Sequence, residues 1–201
     1  MMRSQNEIQT SVLKAARGAG FDQGQAQDIA MATRSRLARL AETAKPAAKA
    51  EIKDFFGALK NALDHPKDLP EVTKADGVTI LTKGNPIFLC TAAIDLILAG
   101  ISPVMIGNVP LTIFRAWVEM AETSLDKTII WKFADGTQSD LIVTRFRGVK
   151  IPRQPLHGCA VYVPDDVWDY LSHLAAKILV PDTEQSRLLG AGAGAGLSDN
   201  D

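Results

Sequence analysis

Near residue 70 the spacing of apolar residues changes, and that change constrains the fold more than any other feature of the chain. Before it, apolar side chains recur at helical intervals, which lays them along one face of a helix. Ser4-Gln5-Asn6-Glu7 has capping-box spacing, so each of the two outer side chains can satisfy the other's backbone N–H. Ile8, Val12, Leu13 and Ala16 then share a face, and Gly18 and Gly20 end the segment. Asp22 is placed to cap a second helix through Ile29, Ala30, Leu37 and Leu40, whose other face carries Arg34, Arg36 and Arg39. Pro46 stops that helix or begins a third, in which Ile52, Phe55, Phe56, Leu59 and Leu63 form an apolar stripe. Asp64-His65-Pro66 and Leu69-Pro70 close the helical module.

Beyond residue 70 the pattern is mixed. Val78–Leu81 reads as a short strand and Gly84-Asn85-Pro86 as a turn. Ile87–Ala99 has the length and alanine content of a buried helix, Val104–Ile106 is extended, and Leu111–Ala121 is helical. Thr128–Ala134 alternates, with Ile129, Trp131 and Phe133 on one side. Asp135-Gly136 then reads as a two-residue hairpin turn into Ser139–Arg145. A strand over Cys159–Val163 precedes Pro164-Asp165-Asp166, a helix start with proline and acids in its first turn. Val167, Leu171, Leu174, Ala175 and Ile178 follow as its buried stripe. The expected fold is α+β: a helical module at 1–70, an antiparallel α+β core domain at 71–186 with a closing helix, and a flexible Gly/Ala-rich acidic tail at 187–201. Trp131 and Phe133 are expected to be buried on one face of the hairpin.

The tail, Gly190-Ala191-Gly192-Ala193-Gly194-Ala195-Gly196 ending in Asp199-Asn200-Asp201, is pliable and cannot build a core. Charge is distributed unevenly. Residues 1–67 hold eleven Lys/Arg against seven Asp/Glu, whereas residues 164–201 hold two against seven. The simplest consequence is that the acidic end packs near the basic start, and the tail's acids suit docking against Arg34, Arg36 or Arg39. A nucleic-acid surface needs a denser basic patch with aromatics, and residues 1–50 contain only Phe21, so nucleic-acid binding is not expected. The apolar run Ile87–Ile106 approaches membrane-spanning length, but Asp95, Gly100 and Pro103 interrupt it, which favours a core segment over a membrane span. No leader-like segment precedes the first amphipathic helix, and Cys90 and Cys159 lack metal-type spacing. A cytoplasmic protein without a metal centre is the expectation.

Ser4-Gln5-Asn6-Glu7-Ile8, Ala15-Ala16-Arg17-Gly18-Ala19-Gly20, Val180-Pro181, Ser186-Arg187 and the Gly-Ala-Gly tail closing on Asp-Asn-Asp together resemble a bacterial family of uncharacterised proteins, domain of unknown function 3726. The resemblance implies no activity, substrate or catalytic residue. A fainter similarity to type-2 malate/lactate dehydrogenases rests on Gly84-Asn85-Pro86 and Ile94-Asp95-Leu96, in a chain much shorter than those enzymes.

Four side chains are candidates for chemistry. Asp95 lies among Ile94, Leu96, Ile97 and Leu98, where an ionised carboxylate is costly unless it is paired. Burial beside a specific partner, or a role as general base or ligand contact, is therefore expected of it. His157 and Cys159 project to one side of an extended segment, so the imidazole could lower the thiol's pKa and make it nucleophilic. Arg187 could clamp an anion through its planar guanidinium. Gly190–Ala195 matches G-x-G-x-x-[G/A] but lacks the strand and helix that a dinucleotide fingerprint requires. Asp199 and Asp201 read as a solvated acidic end, and His65 and His173 have no ligand-type spacing. No particular cofactor is indicated.

Two functions fit these observations. One is an enzyme or enzyme-like protein acting on a small polar metabolite, with a site between the helical module and the β core. The other is a non-catalytic accessory or assembly protein whose tail docks into a partner or a second subunit.

Overall fold

The computed structural model describes residues 1–41, 45–125, 127–134, 140–147 and 160–178. The elements run β1 (Met2–Arg3), α1 (Gln5–Ala19), α2 (Gln23–Ala41), α3 (Lys45–Leu63), β2 (Glu71–Ala75), β3 (Val78–Thr82), α4 (Pro86–Leu98), β4 (Val104–Ile106), α5 (Leu111–Leu125), β5 (Thr128–Phe133), β6 (Leu141–Arg147), β7 (Val161–Tyr162) and α6 (Asp165–Ala176). The architecture is α+β, with helices leading, a central sheet and a closing helix. The buried residues of the three leading helices, the sheet and α6 form one continuous hydrophobic cluster that crosses residue 70.

Local chemistry sets the first two helices. Ser4 Oγ accepts from Glu7 N and Glu7 Oε2 accepts from Ser4 N, completing the capping box of α1. Gly20 ends α1 in the left-handed conformation at φ 111°. Asp22 and Gln25 repeat the reciprocal cap for α2, with Gln25 N donating to Asp22 Oδ1 at 2.8 Å. Gly18 serves packing: a β-carbon there would lie 1.8 Å from the carbonyl oxygen of Leu174, so α1 and α6 approach as closely as they do only because that position lacks a side chain. The N-terminal strand adds a second tie between the same regions. β1 pairs antiparallel with β7, the Met1 amine contacts Asp165, and the Arg3 guanidinium lies 4.2 Å over the Trp168 ring.

The main sheet has the order β2-β3-β4-β6-β5 and is mixed rather than antiparallel throughout. β3 and β4 run parallel because α4 carries the chain across between them. The Asp76-Gly77 turn has φ values of 49° and 76° and joins β2 to β3 as a hairpin that sequence reading missed. The β5–β6 hairpin strands pair as expected, while the Asp135-Gly136 turn lies outside the described residues. Trp131 and Phe133 are less buried than expected. A register shift falls between Ile130 and Trp131; Trp131 is half-buried against Phe114 at 5.1 Å, and Phe133 is 40% exposed at the strand's end.

Asn85 joins the helical half to the sheet. It is 1% exposed, and its Oδ1 caps α4 by accepting from Ile87 N at 2.8 Å. Its Nδ2 donates to Ala62 O at 2.6 Å and His65 O at 2.8 Å, satisfying carbonyls at the end of α3. Its backbone N donates to Asp68 O at 2.7 Å. Gly84, at φ 81°, makes room for this, since a β-carbon there would lie 2.6 Å from Leu69 O. Asn85→Ala is expected to destabilise the fold by about 3 kcal/mol, the sum of a lost cap and buried carbonyls left unmet. Thermal melting checks this, with an expected fall of about 6–12 °C. Asn85→Asp, an equally good N-cap on α4, is expected to fail as well, because it removes the Nδ2 donor and turns a carboxylate toward two carbonyls.

Candidate functional site

Two clusters of charged groups stand at helix contacts, and both include α2. The first is centred on Arg36. The helical repeat puts Arg36 on the same face as Ile29, Thr33, Leu37 and Leu40, so it points inward rather than lying on an open basic face with Arg34 and Arg39. It is 4% exposed and bridges two acids: Nη1 donates to Glu119 Oε1 of α5 at 2.8 Å and Nη2 to Glu51 Oε2 of α3 at 2.5 Å. Of the three arginines expected to receive the tail, Arg36 is therefore engaged in the interior. Arg34 reaches Gln9 Oε1 at 3.0 Å, and Arg39 is exposed.

Burial pushes the Glu119 carboxyl up to about 7. The Arg36 charge and hydrogen bond, then Arg39 and Arg115, pull it only part of the way back. Glu51 and Glu119 escaped the sequence reading. The available signal was the position of Arg36 on the apolar face of α2, because a buried guanidinium requires carboxylate partners.

The second cluster contains Asp95. Asp95 is exposed on α4, contrary to the burial expected from its sequence neighbours. Successive residues of a helix are about 100° apart, so Ile94 and Ile97 turn into the core while Asp95 and Leu98 turn outward. The charge of Asp95 on α4 nevertheless acts on an acid of α2. Partial burial raises the Asp28 carboxyl first, and the charges of Asp95 and Asp22 raise it further; partial burial also raises Asp95. A proton or a cationic group near Asp28 offsets the negative charges that raise it.

Cys90 is fully buried, and its thiol is pushed well above the ordinary range, so it packs as an apolar filler. His65 Nδ1 is paired with Asn61 O at 2.9 Å. His157, Cys159, Arg187 and the tail lie outside the described residues, so of the four candidates the structure places only Asp95. Among the described residues there is no group of three or more His, Cys, Asp or Glu side chains arranged to hold a metal ion. Among the same residues no helix is long and apolar enough to cross a membrane; the run Ile87–Ile106 is instead a 13-residue core helix followed by a turn and β4.

The first forty residues hold both caps, the packing Gly18, the helix-ending Gly20, Asp28 and Arg36. Residues 3–39 match a family described as protein of unknown function (DUF3726). The matched segment spans α1 and most of α2, which contains the Ser4–Ile8 and Ala15–Gly20 motifs that carried the resemblance. No curated protein and no solved structure matches the chain. The matched segment contributes one residue to each charged cluster, Arg36 and Asp28, while Glu51, Glu119 and Asp95 come from helices outside it.

The sign of the carboxylate pair's effect follows from linkage. A raised folded pKa gives stability that is complete below the ordinary carboxylate value and is lost as pH rises through the folded value. Asp28→Asn or Asp95→Asn is therefore expected to raise the melting temperature near neutral pH, by about 1–2 °C given the groups' exposure. The gain should disappear in acid, where the unmodified pair is already neutral. Thermal melts of each variant across pH check this.

Proposed function

We propose that this is an enzyme-like cytoplasmic protein acting on a small polar metabolite, with its site at the seam where α2 of the helical half meets α4. The observation that carries this reading is that Asp28 of α2 and Asp95 of α4 both have carboxyls raised above their ordinary value, with the charge of Asp95 among the causes at Asp28. Asp95 is the proposed acid–base or ligand-contacting group and Asp28 the second carboxylate that tunes it. A ligand presenting an amine or another hydrogen-bond donor suits the pair, because it offsets the negative charge that raises Asp28. His157 and Cys159 remain the proposed nucleophile pair and Arg187 the proposed anion clamp.

A second reading, an accessory or assembly protein that docks a partner or a second subunit, gains from a different observation. β2 is an edge strand whose five residues are all exposed, with Val72 at 59% and Leu69 just before it at 72%. Such an edge offers backbone N–H and C=O groups for strand addition, although Lys74 on the strand works against it.

A thermal-shift screen of polar metabolites against the full chain tests the first reading. A stabilising compound is expected to lose its effect on Asp95→Asn, even though that variant alone melts slightly higher, which is the stability–function trade-off of a site held under repulsion. If Asp95→Asn responds to every stabilising compound as the unmodified chain does, the seam is not the site. Sedimentation tests the second reading: a concentration-dependent dimer that Val72→Lys abolishes would favour assembly.

A further inference from the structure

The Arg36 junction does more than hold three helices together. One guanidinium, itself buried, serves two carboxylates that differ in their access to water: the Glu51 side chain is 40% exposed and Glu119 15%. Glu51 can be hydrated. Glu119 has one oxygen on Arg36, and its Oε2 is buried without a hydrogen bond among the described residues, as is Arg36 Nε. A carboxylate in that position is incompletely solvated when ionised and better matched to its surroundings when neutral.

The other charged groups around it have identifiable places. Arg36 and Arg39 face Glu119 from α2, Arg115 from α5 itself, and Glu51 of α3 acts through Arg36. The only charged residue of α4, Asp95, is exposed, and its charge acts on Asp28. The only charged residue of β5, Lys132, is exposed, and it pairs in register with Ile142.

We propose that the Arg36–Glu119–Glu51 junction is a proton-linked switch between α5 and the α2/α3 pair. With Glu119 neutral, α5 seats against α2. Loss of its proton favours opening of the α2–α5 contact, which lets water reach Oε2 while Arg36 stays with Glu51. The ion pair alone would predict the opposite direction, a contact strengthened by ionisation. Here desolvation outweighs Arg36, Arg39 and Arg115, and the carboxyl titrates near neutrality rather than in acid. The proposal is independent of the Asp28–Asp95 seam and of any ligand there.

Two measurements on the full chain test it. Carboxyl carbon NMR of the unmodified protein is expected to show Glu119 titrating with a midpoint of about 7. A midpoint in the ordinary glutamate range overturns the proposal. Amide hydrogen exchange, corrected for its intrinsic pH dependence, is expected to show protection in α2 and α5 falling by up to about tenfold per pH unit between the ordinary glutamate range and that midpoint and levelling off above it, while β3 and β4 hold theirs. Glu119→Gln keeps the shape and removes the titration, so its α5 protection is expected to be flat. An unchanged pH dependence in that variant, or flat protection in the unmodified chain, overturns the switch. The NMR midpoint is read without any substitution, so the test stands even if Glu119→Gln folds poorly.

Discussion

The structure depends on how two helix ends are satisfied at one buried residue. The last carbonyls of α3 and the first N–H groups of α4 lack partners within their own helices. Asn85 meets both, donating to Ala62 and His65 and accepting from Ile87. Because α3 belongs to the leading helices and α4 is the crossover of the sheet, this one amide fixes how the two halves meet. Trp117, 1% exposed, extends the same seam by donating from Nε1 to Thr91 Oγ1 at 3.0 Å, which ties α5 to α4. An amide suits position 85 because it both donates and accepts there; an aspartate could only accept. The Gly84-Asn85-Pro86 segment, whose sequence suggested a distant likeness to a dehydrogenase motif, is accounted for by this joint.

Once the helices are placed, the charges follow. α2 presents Arg36 to the interior, and closure of α3 and α5 around it supplies Glu51 and Glu119. Ion pairing and desolvation then compete at Glu119, and desolvation prevails. At Asp28 burial and the like charges of Asp95 and Asp22 act in the same direction. Both clusters hold carboxyls above their ordinary values. In both the first cause is too little water around the acid; at Glu119 arginine charge offsets it in part, whereas at Asp28 the charges of Asp95 and Asp22 add to it.

Much of the local structure was legible. Ser4 and Glu7, and Asp22 with the downstream apolar face, marked helix starts because capping is decided within a few residues. Alternation in Thr128–Phe133 and Leu141–Arg147 identified the strands of the hairpin. The exposed strand β2 was missed because its residues bury nothing and so carry no apolar alternation, although Asp76-Gly77 was a readable turn signal. The site was much less legible. Asp95 was expected to be buried because its sequence neighbours are apolar, but neighbours along a helix point in different directions. Arg36 was assigned to the surface by its chemistry, although its spacing from Ile29, Thr33 and Leu40 placed it inside.

The sequence by itself determined where helices begin and end, which segments alternate, and that the chain folds as leading helices, a sheet and a closing helix. Those features depend on backbone hydrogen bonding and side-chain periodicity over a few residues. Only the tertiary structure decided that β3 and β4 run parallel, that Gly18 lies against Leu174, that Glu119 and Glu51 share Arg36, and that the charge of Asp95 acts on Asp28. Each of these joins residues far apart in the chain. Their energies depend on how much water the packed neighbours exclude, a quantity that no local stretch of sequence contains.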